Sequence, residues 1–186
     1  MKQAIHVWHL QITDLAGIKT IQTSSAPRKY ELAQAQSNLP EFNRFLYVAV
    51  GASCQWYMRL GWTYATWQQF LEKPGVETWV AYLQGSPIGY FELEAQQTGS
   101  AEIVYFGLLP EFIGQGYGGQ LLEDAIQRAS QLAGKRVWLH TCTLDHPRAL
   151  PNYLAHGFEI FAEEDLVDEI PDAPIQPWPG ADKSQI

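Results

Sequence analysis

Seven residues constrain this chain more than any others. "IGQGYGG", residues 113–119, places four glycines between the apolar run "AEIVYFGLLP" and the amphipathic run "GGQLLEDAIQRASQLAG". In the second run Leu121, Leu122, Ala125, Ile126, Ala129 and Leu132 form one helical stripe, with Gly134 as a stop. Strand, glycine loop and helix therefore follow one another. Such a junction leaves unpaired backbone N–H groups at the helix start, and glycines let an anion come close to them. The dinucleotide pattern G-x-G-x-x-G matches at Gly114, Gly116 and Gly119. No acidic residue closes the next strand, however, and the preceding strand belongs to a meander, so that reading fails. A Walker loop is excluded because no Gly-Lys-Ser/Thr follows. A tight turn that holds no ligand is the remaining alternative.

The flanking sequence places this junction in a single α/β domain. Residues 3–12 are strand-like, with Ile5, Val7 and His9 in one phase, and "SSAPRK" interrupts the pattern after them. A helix is predicted over 39–56 from Pro40, Glu41 and the spacing of Phe42, Phe45, Leu46 and Ala49. A second, capped by Thr63, carries Trp67, Phe70 and Leu71 and stops at Pro74-Gly75. Residues 77–110 hold three strand-like runs, a meander of antiparallel strands. "KRVWLHTCTLD" reads as a buried strand, "PRALPNYLAHG" as a helix closed by Gly157, and "FEIFAEE" as the last strand. The order predicts a mixed, mostly antiparallel central sheet flanked by helices. Only the crossover helix after residue 118 requires a parallel pair. The domain is expected over 1–170, followed by a proline-rich tail, 171–186, that is either extended over the surface or disordered.

Charge and cysteine usage narrow the function classes. A net charge of −8 without clustered Lys and Arg excludes a general nucleic-acid binder. Cys54 and Cys142 lie far apart without metal-ligand spacing, which fits reduced thiols in the cytoplasm. The N-terminus is too polar for a secretory core and no apolar run approaches a membrane span, so a soluble, cytoplasmic protein without a membrane partner is expected.

"AEIVYFGLLPEFIGQGYGGQLLEDAI" followed by "LDHPRALPNYLAHGF" resembles the GCN5-related N-acetyltransferase (GNAT) superfamily, well over residues 77–162 and only in element order before 75. The resemblance implies that backbone amides of Gly114, Gln115, Gly116, Tyr117, Gly118 and Gly119 bind the pyrophosphate of acetyl-CoA. The family's Arg/Gln-x-x-Gly-x-Gly/Ala puts Gly116 and Gly118 at the two small positions and Ile113 where Arg or Gln is usual. It also implies that the preceding strand splays at a bulge, where Gly107, Leu108 and Leu109 pair with the pantetheine arm. An amide near Leu108 would stabilise an oxyanion. Gly107 suits a bulge on physical grounds as well.

An alkylamine with a pKa of about 10.4 must lose a proton before it attacks. By resemblance to the histone-acetylating branch, Glu102 is the base. In bare strand geometry Glu102, Val104 and Phe106 share a face. Glu92 and Glu94 join the Glu102 side if the hairpin closes at Thr98 and Gly99, either as part of the acceptor site or as the wet face of the meander. The family spacing Ala-x-x-x-Tyr-x-x-x-Gly-Phe puts Tyr153 where a proton donor to the departing thiolate stands, the alternative being a packed helix tyrosine. Asn152 would touch the cofactor arm, and His146 falls where the family has Asn. Trp56 and Trp62 either wall the acceptor pocket or, with Trp67, cover the sheet. His140 and Cys142 share a strand face near Asp145, as an acyl-carrying pair or as buried structural residues. Neither His140, Asp145 and His146 nor His6 and His9 completes a recognised metal spacing. The expectation is direct transfer from acetyl-CoA to a primary amine, without a metal. The alternative is a non-catalytic acyl-CoA-binding sensor or interaction module. Exposed strand edges would suit a homodimer.

Overall fold

The computed structural model describes residues 1–17, 28–173, 175–179 and 181. Most of "SSAPRK", and residues 174, 180 and 182–186 of the tail, therefore lie outside the described residues. Seven strands form one sheet: β1 (Lys2–Ile12), β2 (Glu31–Gln34), β3 (Val76–Leu83), β4 (Ser86–Ala95), β5 (Ser100–Leu108), β6 (Arg136–Cys142) and β7 (Glu159–Glu169). Their order is β2-β3-β4-β5-β6-β1-β7. Among these neighbours only β5 and β6 run parallel. The helices that lie wholly within the described residues include α1 (Pro40–Gly51), α2 (Tyr64–Leu71), α3 (Tyr117–Leu132) and α4 (Ala149–Ala155), with α3 as the crossover between the parallel pair.

Local signals account for the helix ends. Pro40 occupies the first turn of α1, where a missing N–H costs nothing. The Thr63 side chain caps α2 by accepting from Thr66 N. Gly157, at φ +87°, takes the left-handed conformation that ends α4. The stripe on α3 is buried from Leu121 to Ala129. Leu121, Leu122 and Ile126 each contribute about 1.5–3 kcal/mol by leaving water.

The sheet has two different faces. On one, α3 packs over Leu10, Phe91, Leu93, Ile103 and Leu139, with Tyr153 of α4 in the same cluster. On the other, Leu46, Tyr47 and Val50 of α1 and Trp67 of α2 cover Val80, Tyr90 and Tyr105. Phe45, placed on the apolar stripe by its spacing, is exposed instead, because the buried side of α1 is centred on Leu46, Tyr47 and Val50. Strand β1 serves both faces: Leu10 and Ile12 join the α3 side, Ile5 and Val7 the other. Two strands exceed the sequence expectation. The short edge β2 had no periodicity to reveal it, and β7 continues to Glu169 through acidic residues that pair with β1.

A bulge and a divergence shape the middle of the sheet. The pairs Leu93↔Ile103 and Glu92↔Tyr105 leave Val104 unmatched. One inserted residue reverses the facing of everything after it. Tyr105 therefore lies with Val104 on the α1 side, and Phe106 turns to the α3 side, 6.1 Å from the ring of Tyr153. The bare alternation of Glu102, Val104 and Phe106 is thus corrected. The bulge sits at Val104 and not at Gly107, which pairs in register with Tyr90. Gly107 is small for another reason: a Cβ there would lie 2.6 Å from Val50 Cγ1. Strands β5 and β6 pair at Ser100↔Arg136, Ala101↔Val137 and Glu102↔Trp138, and then separate.

Candidate functional site

The wedge between the separating strands opens into two cavities. One, of about 510 Å³, is lined by Gly107 and Leu108 of β5, by Ile113, Gly114, Gly116, Gly118 and Gly119, and by residues 145–153 including Arg148 and Asn152. The other, of about 350 Å³, lies on the α1 side against Glu102, His140, Ile5, Val7 and Leu166, under Trp56, Tyr57 and Met58. Cys54, Trp56, Phe106, Asp145 and Tyr153 line both. The two cavities meet at these five residues.

The larger cavity has the chemistry of an anion cradle. Gly114 and Gly116 adopt φ of +82° and +84°, which an L side chain rarely takes. Gly116 caps α3 without a side-chain hydrogen bond, so the first N–H groups of a 16-residue helix face outward. Ile113 lines the cavity without offering a donor. Cationic groups stand elsewhere: the Lys29 ammonium lies 3.3 Å from the position a Cβ on Gly116 would take, and Arg148 lines the wall. Neighbouring contacts hold Lys29 there. Its N–H donates to Gln120 Oε1 at 3.0 Å, and Arg28 and Tyr30 both donate to Asp124 of α3 at 2.7 Å. Leu109, Gln115 and Tyr117 do not line the cavity. Leu109 N donates to Ile88 O and is spent within the sheet. The Gln115 side chain turns back to Glu111 O, and Tyr117 packs against Tyr30 and Phe112.

At the apex of the smaller cavity His140 Nδ1 lies 3.5 Å from Glu102 Oε1, with the Glu102 side chain only 13% exposed. The Glu102 carboxylate raises the His140 pKa above its usual value of 6.5, burial opposing it. His9 stands beside His140 on β1, and its Nε2 is 3.1 Å from Glu164 Oε1 of β7. At the junction, Asp145 accepts from Thr141 Oγ1 at 2.6 Å and from Trp56 Nε1 at 3.4 Å, which ties the aromatic roof to the end of β6. Tyr153 is 6% exposed, and its hydroxyl makes no hydrogen bond among the described residues. Burial pushes its pKa well up, so it stays protonated.

Several expected site residues lie elsewhere. Glu92 is fully buried and bound to Arg59 at 2.8 and 3.0 Å, so no acceptor reaches it. Glu94 faces the Glu102 side in register, but its carboxylate meets Lys73 at 3.1 Å outside the cavity. Trp62 packs on Trp67 and Phe70 and lines neither cavity. His140 faces Glu102 and not Cys142, and burial pushes the thiols of Cys54 and Cys142 up, against a thiolate nucleophile. Among the described residues no three His, Cys, Asp or Glu side chains converge as a metal would need. No helix among the described residues is long and apolar enough to cross a membrane. Arg148 and Lys29 were not anticipated, since neither has a local spacing that marks it, and His9 and Asp145, weighed only for metal or acyl-carrying roles, stand instead in the walls of the smaller cavity.

Residues 37–158 match the Acetyltransferase (GNAT) family. No curated protein matches the chain. Among solved structures, a conserved protein of unknown function from Staphylococcus epidermidis superposes with a TM-score of 0.60 at 20% identity, covering 89% of this chain and 62% of that one. A GCN5-related N-acetyltransferase from Kribbella flavida gives 0.61 at 18% identity, covering 90% and 60%. The chain thus spans about 60% of the length of either. A Bacillus subtilis acetyltransferase in complex with CoA gives 0.55 at 22% identity, covering 72% and 79%. At these identities the likeness is one of fold.

Proposed function

The chain belongs to the GNAT acetyltransferase family, and from that membership we propose that it transfers an acetyl group from acetyl-CoA to a primary amine held in the smaller cavity. The observation that carries this reading is the meeting of the two cavities at Tyr153, between an uncapped helix start and the Glu102–His140 pair. The CoA complex of the Bacillus subtilis acetyltransferase, which shares the fold, supports the donor.

The residues present fit that donor. Backbone N–H groups of 114–119 would take the pyrophosphate, Gly114 and Gly116 leaving room for it, with Lys29 and Arg148 supplying the positive charge that Ile113 lacks. Gly107, Leu108 and Asn152 would flank the pantetheine arm. When bound, acetyl-CoA supplies an acetyl thioester, whose thiolate leaves as the amine is acylated.

The chain's own groups manage the protons. The Glu102–His140 pair takes one from the acceptor ammonium, the imidazole accepting it and the carboxylate stabilising the charge. Tyr153 holds another at its hydroxyl for the thiolate. The walls of Trp56 and Phe106 keep water from the junction. Incubation with acetyl-CoA and a panel of primary amines, followed by thiol release and product mass, tests the proposal. Tight CoA binding without release across the panel would instead mark a sensor or interaction module.

A further inference from the structure

We infer that the acceptor is an amine with an apolar body and no carboxylate or phosphate of its own, an inference that rests on the acetyl-transfer reading above. Its basis is the charge of the acceptor cavity. Glu102, Asp145, Glu164 and Asp168 all line it, and among the described residues no Lys or Arg does. The two lining histidines do not reverse this balance. His140 is held by Glu102 and His9 by Glu164, so even with both imidazoles protonated the carboxylates outnumber them.

The carboxylates are placed around an apolar bed. Glu164, Leu166 and Asp168 alternate along β7 and so share one face, the one carrying Ile5 and Val7 of the neighbouring strand. The Tyr57 hydroxyl donates to Asp168, and that hydrogen bond keeps the carboxyl below the usual range and therefore ionised. Trp56, Tyr57 and Met58 close the roof. An apolar body lies between floor and roof with its ammonium toward Glu102. An α-amino acid in the same position would bring its carboxylate among like charges, with no described Lys or Arg to pair it and both histidines already held by carboxylates.

Calorimetric binding to the CoA-saturated protein tests this with matched pairs: phenethylamine against phenylalanine, cadaverine against lysine, and tryptamine against tryptophan. Each amine is expected to bind at least about tenfold more tightly than its amino acid. The double substitution Glu164→Gln, Asp168→Asn should shrink that ratio, and Glu164→Lys should shrink it further. Equal or tighter binding of the amino acids, binding of none of the six, or a ratio unchanged in both variants would overturn the inference. Tight, selective binding of amines that are never acetylated would leave charge selection standing and remove the transfer reading instead.

Discussion

His140 Nδ1 lies 3.5 Å from Glu102 Oε1, just beyond the last rung that joins β5 to β6. The carboxylate stabilises the imidazolium and raises its pKa. Glu102→Gln should therefore return the His140 titration, followed by NMR, toward about 6.5. A raised folded pKa stabilises the fold below the unfolded value, and that contribution is lost as pH rises through the folded one. The stability gap between the native chain and Glu102→Gln should accordingly narrow on going from mildly acidic to alkaline pH. The acetylation rate should fall about 10²–10⁴-fold with CoA affinity intact. An unmoved His140 titration would dissolve the pair.

Tyr153→Phe removes a hydroxyl that makes no hydrogen bond among the described residues while keeping the buried ring that packs on Phe106 and Phe158. Melting temperature and CoA affinity should hold, and turnover should drop at least about tenfold. Full turnover would reduce the tyrosine to packing.

Gly116→Val forces a β-branched residue to φ +84°, at a cost of about 1–2 kcal/mol, and places methyl groups beside the Lys29 ammonium. The fold should survive, with CoA affinity reduced at least about 100-fold by calorimetry. Unchanged affinity would move the donor away from this loop.

Gly51 has an ordinary helical φ of −82°, yet a Cβ there would lie 2.2 Å from the indole of Trp56. Gly51→Ala should cost about 1–3 kcal/mol by overpacking. It should also raise the acceptor KM by displacing the roof. Gly61→Ala, where a Cβ meets nothing within 4 Å, is the matched control. Equal denaturant midpoints for the two variants would refute the contact.

Arg59 holds Glu92 beneath Trp62, Phe70 and Tyr105, its guanidinium 4.2–4.5 Å from the three ring centres. Arg59→Met leaves a buried carboxylate unpaired and should cost about 3–5 kcal/mol. Adding Glu92→Leu should restore most of it. A double variant no more stable than the single one would show that the pair contributes more than charge balance.

Elements whose cause is local were legible in the chain. The α3 stripe, the Thr63 cap, the Gly157 stop and the Gly114–Gly119 junction each rest on neighbours within a few turns, and all stand where spacing put them. The crossover length required the one parallel pair that β5 and β6 form. Edge strand β2 and the acidic half of β7 were not legible, because pairing with a distant strand, and not periodicity, makes them strands.

The sequence by itself determined a strand–glycine–helix junction within a mixed sheet, and the GNAT resemblance its motifs carry. Only the tertiary structure decided which side chains meet. One unmatched residue, Val104, reverses the facing of Tyr105 and Phe106. Arg59 withdraws Glu92 into the core. Residues 9, 102, 140 and 164 come together because four strands far apart in the chain lie side by side. Strand register and burial are set by the whole sheet, and no short stretch of sequence encodes them.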